Sequence, residues 1–410
     1  MSLILKLAWR SLWRNKRRTF ITLFSMALGV ALVVFFESLR RGAFEQLVER
    51  AVRMQGGHVC LEHPEYRQAP TVDMAINGVD RLRGQIAELE GVETAKILVL
   101  GQALVKTGAG AVGVMIVGVE PGAEEATSPL ARRLVEGRYL EDGDGRTILI
   151  GRELARQLRV GPGKKVVVAT STIHGQMEEQ LAHVKGVFAM GTPEIDGYLV
   201  QVPLRFAREL YGMESDQATQ IGVMVRDPAR LDRMVQRIQP LVAGENVAVL
   251  GWQEIMPDVA SFIHLYNAAN VVQKGLLLLL VLFSVFNTLL MSVMERQKEF
   301  AVQLALGTPL RQLRAQVFLE SVLLGFMGCA SGLAAGAAAA YGAGVRGIDL
   351  GLFMKDGVSL SGFTYDLLLR PHPVPAILLG VGMLVLGATL LLSLYPLRVM
   401  GRVKPAHWLR

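Results

Sequence analysis

Two stretches carry residue types that do chemistry in other settings. "VGPGKKVVVATST", residues 160–172, is glycine-rich and holds a lysine pair, the ingredients of a phosphate-binding loop. It departs from G-x-x-x-x-G-K-[ST], and Lys164 and Lys165 lead into a strand rather than a helix. A plain helix–strand turn is the expectation. No other segment matches that motif, so ATP chemistry would have to come from another chain. "GHVCLEHPEY" offers His58, Cys60 and His63 as metal ligands. On a strand, 58 and 60 share a face and 63 points the other way, so a half-exposed strand end is the expectation. No Ser/His/Asp arrangement or pair of catalytic carboxylates stands out. No catalytic residue, metal ligand or cofactor is assigned to this chain.

The elements that would position any such residues are mostly apolar. The chain has 410 residues, 51% of them hydrophobic. Residues 19–36, 275–294, 321–345 and 374–397 carry no charge. Each approaches the ~20 residues that cross ~30 Å of hydrocarbon. The first is read as an uncleaved anchor, since "FFESLRRGAF" follows it without a small-x-small cleavage pattern. The fold class expected is an integral membrane α-helical protein. It has four transmembrane helices and a large α+β extracytoplasmic domain inserted between spans 1 and 2.

Positive charge sets the orientation. Lys6, Arg10, Arg14, Lys16, Arg17 and Arg18 precede the first span. Arg296, Lys298, Arg311 and Arg314 follow the second, and Arg398, Arg402, Lys404 and Arg410 follow the fourth. In the loop before the fourth span, Asp349, Asp356 and Asp366 accompany Arg346, Lys355 and Arg370. The expected order is a cytoplasmic amphipathic helix (1–18), span 1 (19–37), an extracytoplasmic domain (38–270) and span 2 (271–295). A cytoplasmic loop (296–314), span 3 (315–345), a short outer loop (346–372), span 4 (373–397) and a cytoplasmic tail (398–410) complete it. The net charge of +7 is accounted for by the cytoplasmic Lys and Arg, with no nucleic-acid partner. For "LILKLAWRSLWRNKRR" two readings stand: a helix lying in the headgroup layer, or one that extends the span.

In the outer domain, "VDRLRGQIAELEGV" reads as helix, "ETAKILVL" and "QALVK" as strands, and "TGAGA" as a hairpin turn before "VGVMIVGV". Helix–turn–strand follows in "GRELARQLRVGPGKKVVVAT", and strand–helix–strand in "ATQIGVMVRDPARLDRMVQRIQPLVAGENVAVLGW". The picture is a split pair of strand–helix units with an inserted β-rich part. Cys60 lies in this domain and Cys329 in a span, so the two cannot pair.

Within the spans, Gly328, Gly332, Gly336, Ala340 and Gly344 recur every fourth residue, a face that admits another helix closely; Leu333 lies off it. Ser284, Asn287, Thr288 and Ser292 interrupt the second span, and interhelical hydrogen bonding is their expected role. Glu320, at the inner mouth of the third span, either snorkels to the interface or pairs with Arg314 or Arg296.

"MERQKEFAVQLALGTPLRQLRAQVFLES", residues 294–321, holds an apolar run, 300–306, too short to span. Gly307 stops one helix, and Thr308–Pro309 begins another as N-cap and first helical residue. Phe300, Val302, Leu304 and Leu306 leave the short helix apolar on most sides. Either it floats at the lipid surface or it fills a groove in a cytoplasmic partner.

This segment resembles the cytoplasmic loop of the MacB/LolC/LolE/FtsX permeases of ABC transporters, the mechanotransmission superfamily. Glu295, Arg296, Glu299, Phe300, Ala305, Leu306, Gly307 and Glu320 match the pattern. Ala301 stands where a Gly is usual, and Gln303–Leu304 stand where an Arg is usual. "AWRSLWRNKRRTF" and the tail "VKPAHWLR", with Pro405, Leu409 and Arg410, also resemble the family. Length and the lack of a fused ATPase look most like the lipoprotein-releasing LolC/LolE group. The resemblance implies two ATPase subunits that bind ATP and Mg, docked on a coupling helix around Glu295, Arg296, Glu299, Phe300, Val302, Leu304, Leu306 and Gly307. It implies a second permease copy or paralogue and an inner-membrane location. The expected substrate is lipoprotein or another lipid-linked molecule, with a periplasmic carrier or adaptor. An FtsX-like regulator of a periplasmic enzyme and a MacB-like efflux permease are the alternatives.

Overall fold

The computed structural model describes residues 3–14, 16–54, 56–125, 130–349, 359–360, 363–364 and 368–400. It divides into two compact units.

The first unit is helical. It contains α1 (Leu3–Arg14), the first part of α2 (Lys16–Met54), most of α10 (Pro257–Glu295), α11 (Gln297–Ala305), α12 (Leu310–Arg346) and α13 (Pro375–Met400). Among the described residues three helices are long and apolar enough to cross a membrane: Thr19–Met54, Leu310–Arg346 and Pro375–Leu394. Three, rather than the expected four, are thus seen. The expected second span falls in α10, where the side chains at 281, 284, 285, 288, 289 and 292 lie outside the described residues. Helix α2 does not stop at the expected residue 37 but runs on to Met54, because no Gly or Pro signal interrupts "ESLRRGAFEQLVERAVRM" strongly enough to end it. The core between helices is formed by Leu12, Met26, Val30, Val34, Leu324, Cys329 and Val385. Exposed Phe20, Ile21, Phe24, Leu279, Leu280, Phe283, Leu379 and Met383 ring it, as expected where lipid is the solvent.

The second unit comprises residues 46–262 and residues 356–366. Its elements begin with β1 (Val59–Glu62), β2 (Ile76–Asn77), α3 (Val79–Ala87), β3 (Val92–Thr107), β4 (Gly110–Val119) and α4 (Pro121–Glu125). They continue with β5 (Leu134–Gly137), β6 (Thr147–Gly151), α5 (Arg152–Leu158), β7 (Lys165–Ser171) and β8 (Met177–Phe188). Then come α6 (Pro193–Tyr198), β9 (Leu199–Pro203), α7 (Leu204–Tyr211), β10 (Gln217–Ala218), β11 (Gln220–Val225), α8 (Leu231–Ile238), β12 (Ala248–Gly251) and α9 (Trp252–Ile255). Strands β12, β1, β11 and the first half of β3 form an antiparallel sheet. Two strand–helix units were expected; as β1–α3–β3 and β11–α8–β12 they interleave in this sheet, which the sequence did not indicate. Helices α3 and α8 cover it with Val79, Leu82, Ile86, Leu231, Met234 and Ile238.

The inserted β-rich part closes on itself. Strand β3 pairs β4, β4 pairs β9, β9 pairs β6, β6 pairs β8, β8 pairs β7, and β7 returns to β3. The ring is a small barrel whose interior is filled by side chains, among them Val105, Val114, Ile116, Ile150, Val168, Val184 and Val200, all buried. "ETAKILVL" and "QALVK" are one strand rather than two. Gly101 between them does not break it. A Cβ there would come 2.4 Å from the Tyr211 ring, so this glycine is a notch for a neighbouring side chain.

Strand β1 corrects a second expectation. It is buried along its whole length, not half-exposed. Glu62, fully buried, receives two bonds from Arg67 (2.6 and 2.9 Å) and one from Gln220 (2.6 Å). Arg67 also donates to the carbonyl of Ile255 (3.2 Å). His58 accepts the Val225 N–H at Nδ1, while His63 meets Asn246. Burial pushes the Cys60 thiol well above its ordinary pKa, with the Glu62 carboxylate adding to the shift. His58, Cys60 and His63 thus have separate surroundings, and among the described residues no group of three possible ligands gathers.

Candidate coupling site

Three elements of the helical unit meet around the segment 294–321. Helix α10 ends at Glu295, which is exposed, and Arg296 turns the chain. Helix α11 follows, then Gly307 with φ +92°, the left-handed region a glycine adopts at little cost. Its N–H bonds to the Leu304 carbonyl and that of Thr308 to Gln303, closing the helix end. The restart differs by one residue from expectation. Pro309, not Thr308, is the N-cap: its carbonyl accepts from Gln312 and Leu313, and no side chain caps.

Arg296 is the centre. Its side chain is 8% exposed, and Nη1 donates to Glu320 Oε2 at 2.8 Å and to Ser11 Oγ at 2.6 Å. Ser11 in turn donates to Glu320 at 3.0 Å. Of the readings open for Glu320, pairing with Arg296 is the one realised. Arg296 also reaches Glu299 (3.3 Å) and lies over the Phe300 ring, 5.0 Å from its centroid. Arg14 completes the group with two bonds to Glu299, 2.6 and 2.7 Å. The Arg14 guanidinium holds the Glu299 carboxyl below its ordinary pKa, with burial opposing and Arg296 assisting. That gain is present above the usual carboxylate range and is lost as pH falls through the lowered value; exposure of both groups keeps it small.

Phe300 points inward. It is 1% exposed and packs on Val293, Leu313 and Val317, with Leu304 half-buried beside it. The large exposed apolar residues of this helix and its end are Val302 (48%) and Leu306 (81%). The short helix is therefore two-sided: Phe300 and Ala301 anchor it to its own chain, and Val302 and Leu306 are presented. The helix is held to α12 by the buried Arg296–Glu320 ion pair, and to α1 by the Arg296–Ser11 hydrogen bond and the exposed Arg14–Glu299 pair.

The small-residue stripe lies against α2. A Cβ at Gly328 would come 2.6 Å from Met26 Sδ, at Gly332 2.6 Å from Val30 Cβ, and at Gly336 2.8 Å from the Ala31 carbonyl. Ala340 is buried in the same line, and Gly344 meets the Pro371 carbonyl. Gly325, outside the stripe as read, meets Thr389 of α13. Asn287 is exposed, and the side chains of Ser284, Thr288 and Ser292 lie outside the described residues, as do Pro405, Leu409 and Arg410. Ser11 and Arg14 were missed as members of the site. No spacing in the sequence links them to residues almost three hundred positions away. Only the basic, aromatic α1 pattern marked their helix.

Comparison with known proteins agrees with this architecture. Residues 19–241 match the MacB-like periplasmic core domain, and residues 275–405 match the FtsX-like permease C-terminal domain. The chain is 22% identical over 407 residues to the lipoprotein-releasing system transmembrane protein LolC of Neisseria meningitidis, covering 97% of this chain and 95% of that one. It is 24% identical over 400 residues to LolE of Haemophilus influenzae, covering 93% and 91%. It is 22% identical over 362 residues to the macrolide export ATP-binding/permease protein MacB of Bdellovibrio bacteriovorus, covering 80% of this chain and 52% of that one. The chain is a multi-pass membrane protein with a large extracytoplasmic domain, and it belongs to the family of permeases that join a MacB-like periplasmic core domain to an FtsX-like C-terminal domain.

Proposed function

We propose that this permease couples ATP hydrolysis by two subunits on other chains to movement of its outer domain, and that it draws a lipid-linked substrate, lipoprotein foremost, from an inner membrane. The observation that carries the reading is α11: anchored by Arg296, Glu320 and Phe300, with Val302 and Leu306 presented outward. The match along nearly the whole of LolC and LolE supports lipoprotein as substrate and a second permease, identical or paralogous, as partner. In this reading α10 supplies the remaining span, 271–295. At 39 residues it is about 58 Å long at 1.5 Å per residue, ample to cross and project beyond the bilayer. Residues 38–270 then lie outside, and 1–18, 296–314 and 398–410 face the cytoplasm. A MacB-like role with a periplasmic adaptor is the second reading, favoured by the match of the outer domain to that core.

The docking test is direct. Leu306→Asp places a charge where an apolar groove is expected to close, and should reduce recovery of the ATPase in a pull-down by roughly tenfold or more. Phe300→Ala should lower the permease's own thermal stability, since that ring is internal. Full recovery of the ATPase with Leu306→Asp would move the docking site elsewhere. Orientation is checked by an Ala109→Cys variant in the β3–β4 turn, because native Cys60 and Cys329 are buried. An impermeant maleimide added outside whole cells should label Ala109→Cys and spare an Arg311→Cys variant. The opposite pattern would reverse the topology.

A further inference from the structure

Helix α1 divides into three lines of residues at i, i+4 spacing, each with a different environment. Ala8 and Leu12 are buried, at 0% and 1% exposure, and Ser11 beside them enters the Arg296–Glu320 contact. Trp9 and Trp13 form the second line, packed edge to face with centroids 5.9 Å apart; Trp9 is 43% exposed and Trp13 half-buried. Lys6, Arg10 and Arg14 form the third. Lys6 and Arg10 are exposed, and Arg14 turns to Glu299. The link to α2 is fixed by a buried hydrogen bond from Thr19 Oγ1 to the Leu12 carbonyl, 2.6 Å. Lys16 and Arg17 are exposed at that link, and Phe20, Ile21 and Phe24 follow at once, each more than half exposed.

We propose that this face of α1 is a binding site for anionic phospholipid. The face gathers exposed cations, an exposed indole and, where α2 begins, exposed apolar side chains, the three residue classes that meet the phosphate, the interface and the acyl chains of a lipid monolayer. Lys6, Arg10 and Arg17 take the headgroup charge, and Trp9 marks the interfacial level. A second copy of the chain fits this face poorly. A two-fold contact would set Lys6, Arg10 and Arg17 against themselves. The site does not depend on which side of the membrane α1 occupies, nor on any ATPase. Through Ser11 and Arg14, the helix that binds lipid is also the one that braces α11.

The test uses the full chain in nanodiscs of equal parts phosphatidylglycerol and phosphatidylcholine, with Trp13→Phe, Trp252→Phe and Trp408→Phe leaving Trp9 as the only indole. One lipid at a time is brominated on its acyl chains, which quenches a neighbouring tryptophan. Brominated phosphatidylglycerol should quench Trp9 about threefold more than brominated phosphatidylcholine, in line with the attraction of several basic residues to an anionic surface. Adding Lys6→Gln, Arg10→Gln and Arg17→Gln should equalise the two. Strong quenching should persist in both proteins when both lipids are brominated. Equal quenching in the first protein, or a preference that survives the three substitutions, overturns the proposal. Absence of quenching with both lipids brominated also overturns it, since protein then covers the face. If the single-tryptophan chain does not fold, a fluorophore on Trp9→Cys reads the same quenching, because Cys60 and Cys329 are buried.

Discussion

Glu320→Ala is expected to cost about 3–5 kcal/mol of stability, the penalty for leaving one member of a buried ion pair alone. Arg296 and Glu320 are 8% and 5% exposed in their side chains, so water cannot take over the lost contact. Glu299 remains near Arg296, but it is 43% exposed and engaged by Arg14. Arg296→Met should cost a similar amount by stranding the carboxylate, with Ser11 as a lesser partner. The double variant Arg296→Met/Glu320→Met should recover most of the loss, because apolar side chains of similar size need no partner. Thermal unfolding of the purified permease in one detergent, for the parent, Arg296→Met, Glu320→Met and the double variant, gives the cycle, with Glu320→Ala measured beside it. Single variants within about 0.5 kcal/mol of the parent would show the pair to be solvated and the brace to be weak.

Gly332→Leu is the second large effect. Even the first carbon of a side chain there would meet Val30 Cβ at 2.6 Å and the Ala27 carbonyl at 2.7 Å, and a carbonyl on a helix backbone has no room to retreat. Gly332→Ala should therefore already cost about 1–3 kcal/mol, and Gly332→Leu should separate α12 from α2 and abolish a monodisperse protein. Leu333, off the stripe, is not a neutral reference: it packs into the helical core and lies 3.2 Å from where a Gly382 Cβ would sit. Ala338→Leu is the proper control, since Ala338 is exposed, and it should be nearly silent. Equal behaviour of Gly332→Leu and Ala338→Leu in size-exclusion chromatography would remove the close packing as a cause of stability.

Both effects show which parts of the structure were readable along the chain. The stripe was, because its period is local to one helix. The strand–helix units were too, because each is a run of consecutive residues with its own turn signals, but their interleaved order in the sheet was not. Barrel closure was not: β7 reaches β3 from some sixty residues away, and nothing in "KVVVATS" names that partner. Strand β1 misled because His58 and Cys60 look like a half-exposed strand end. It is buried between β11 and β12, where Gln220 and the Val225 N–H meet Glu62 and His58, and those neighbours come from a distant part of the chain. In the candidate site, Gly307 was visible as a helix stop, but Phe300 read as apolar surface for a partner's groove or the lipid, and its inward direction depends on Val293, Leu313 and Val317 closing around it. Two arginines were open as partners for Glu320, and only three-dimensional proximity selects Arg296.

Strands β1 and β12 are hydrogen-bonded neighbours, with Val59 opposite Gly251, so the first and last strands of the large sheet lie about 4.8 Å apart, one strand spacing. The Trp252 N–H bonds the His58 carbonyl across the same gap. A domain whose two ends are zipped together is an exchangeable cassette. Residues can be added to it, removed from it or replaced wholesale without altering the separation at which the flanking helices receive it. A chimera joined at His58 and Trp252 would keep that pairing while everything between the two residues is exchanged.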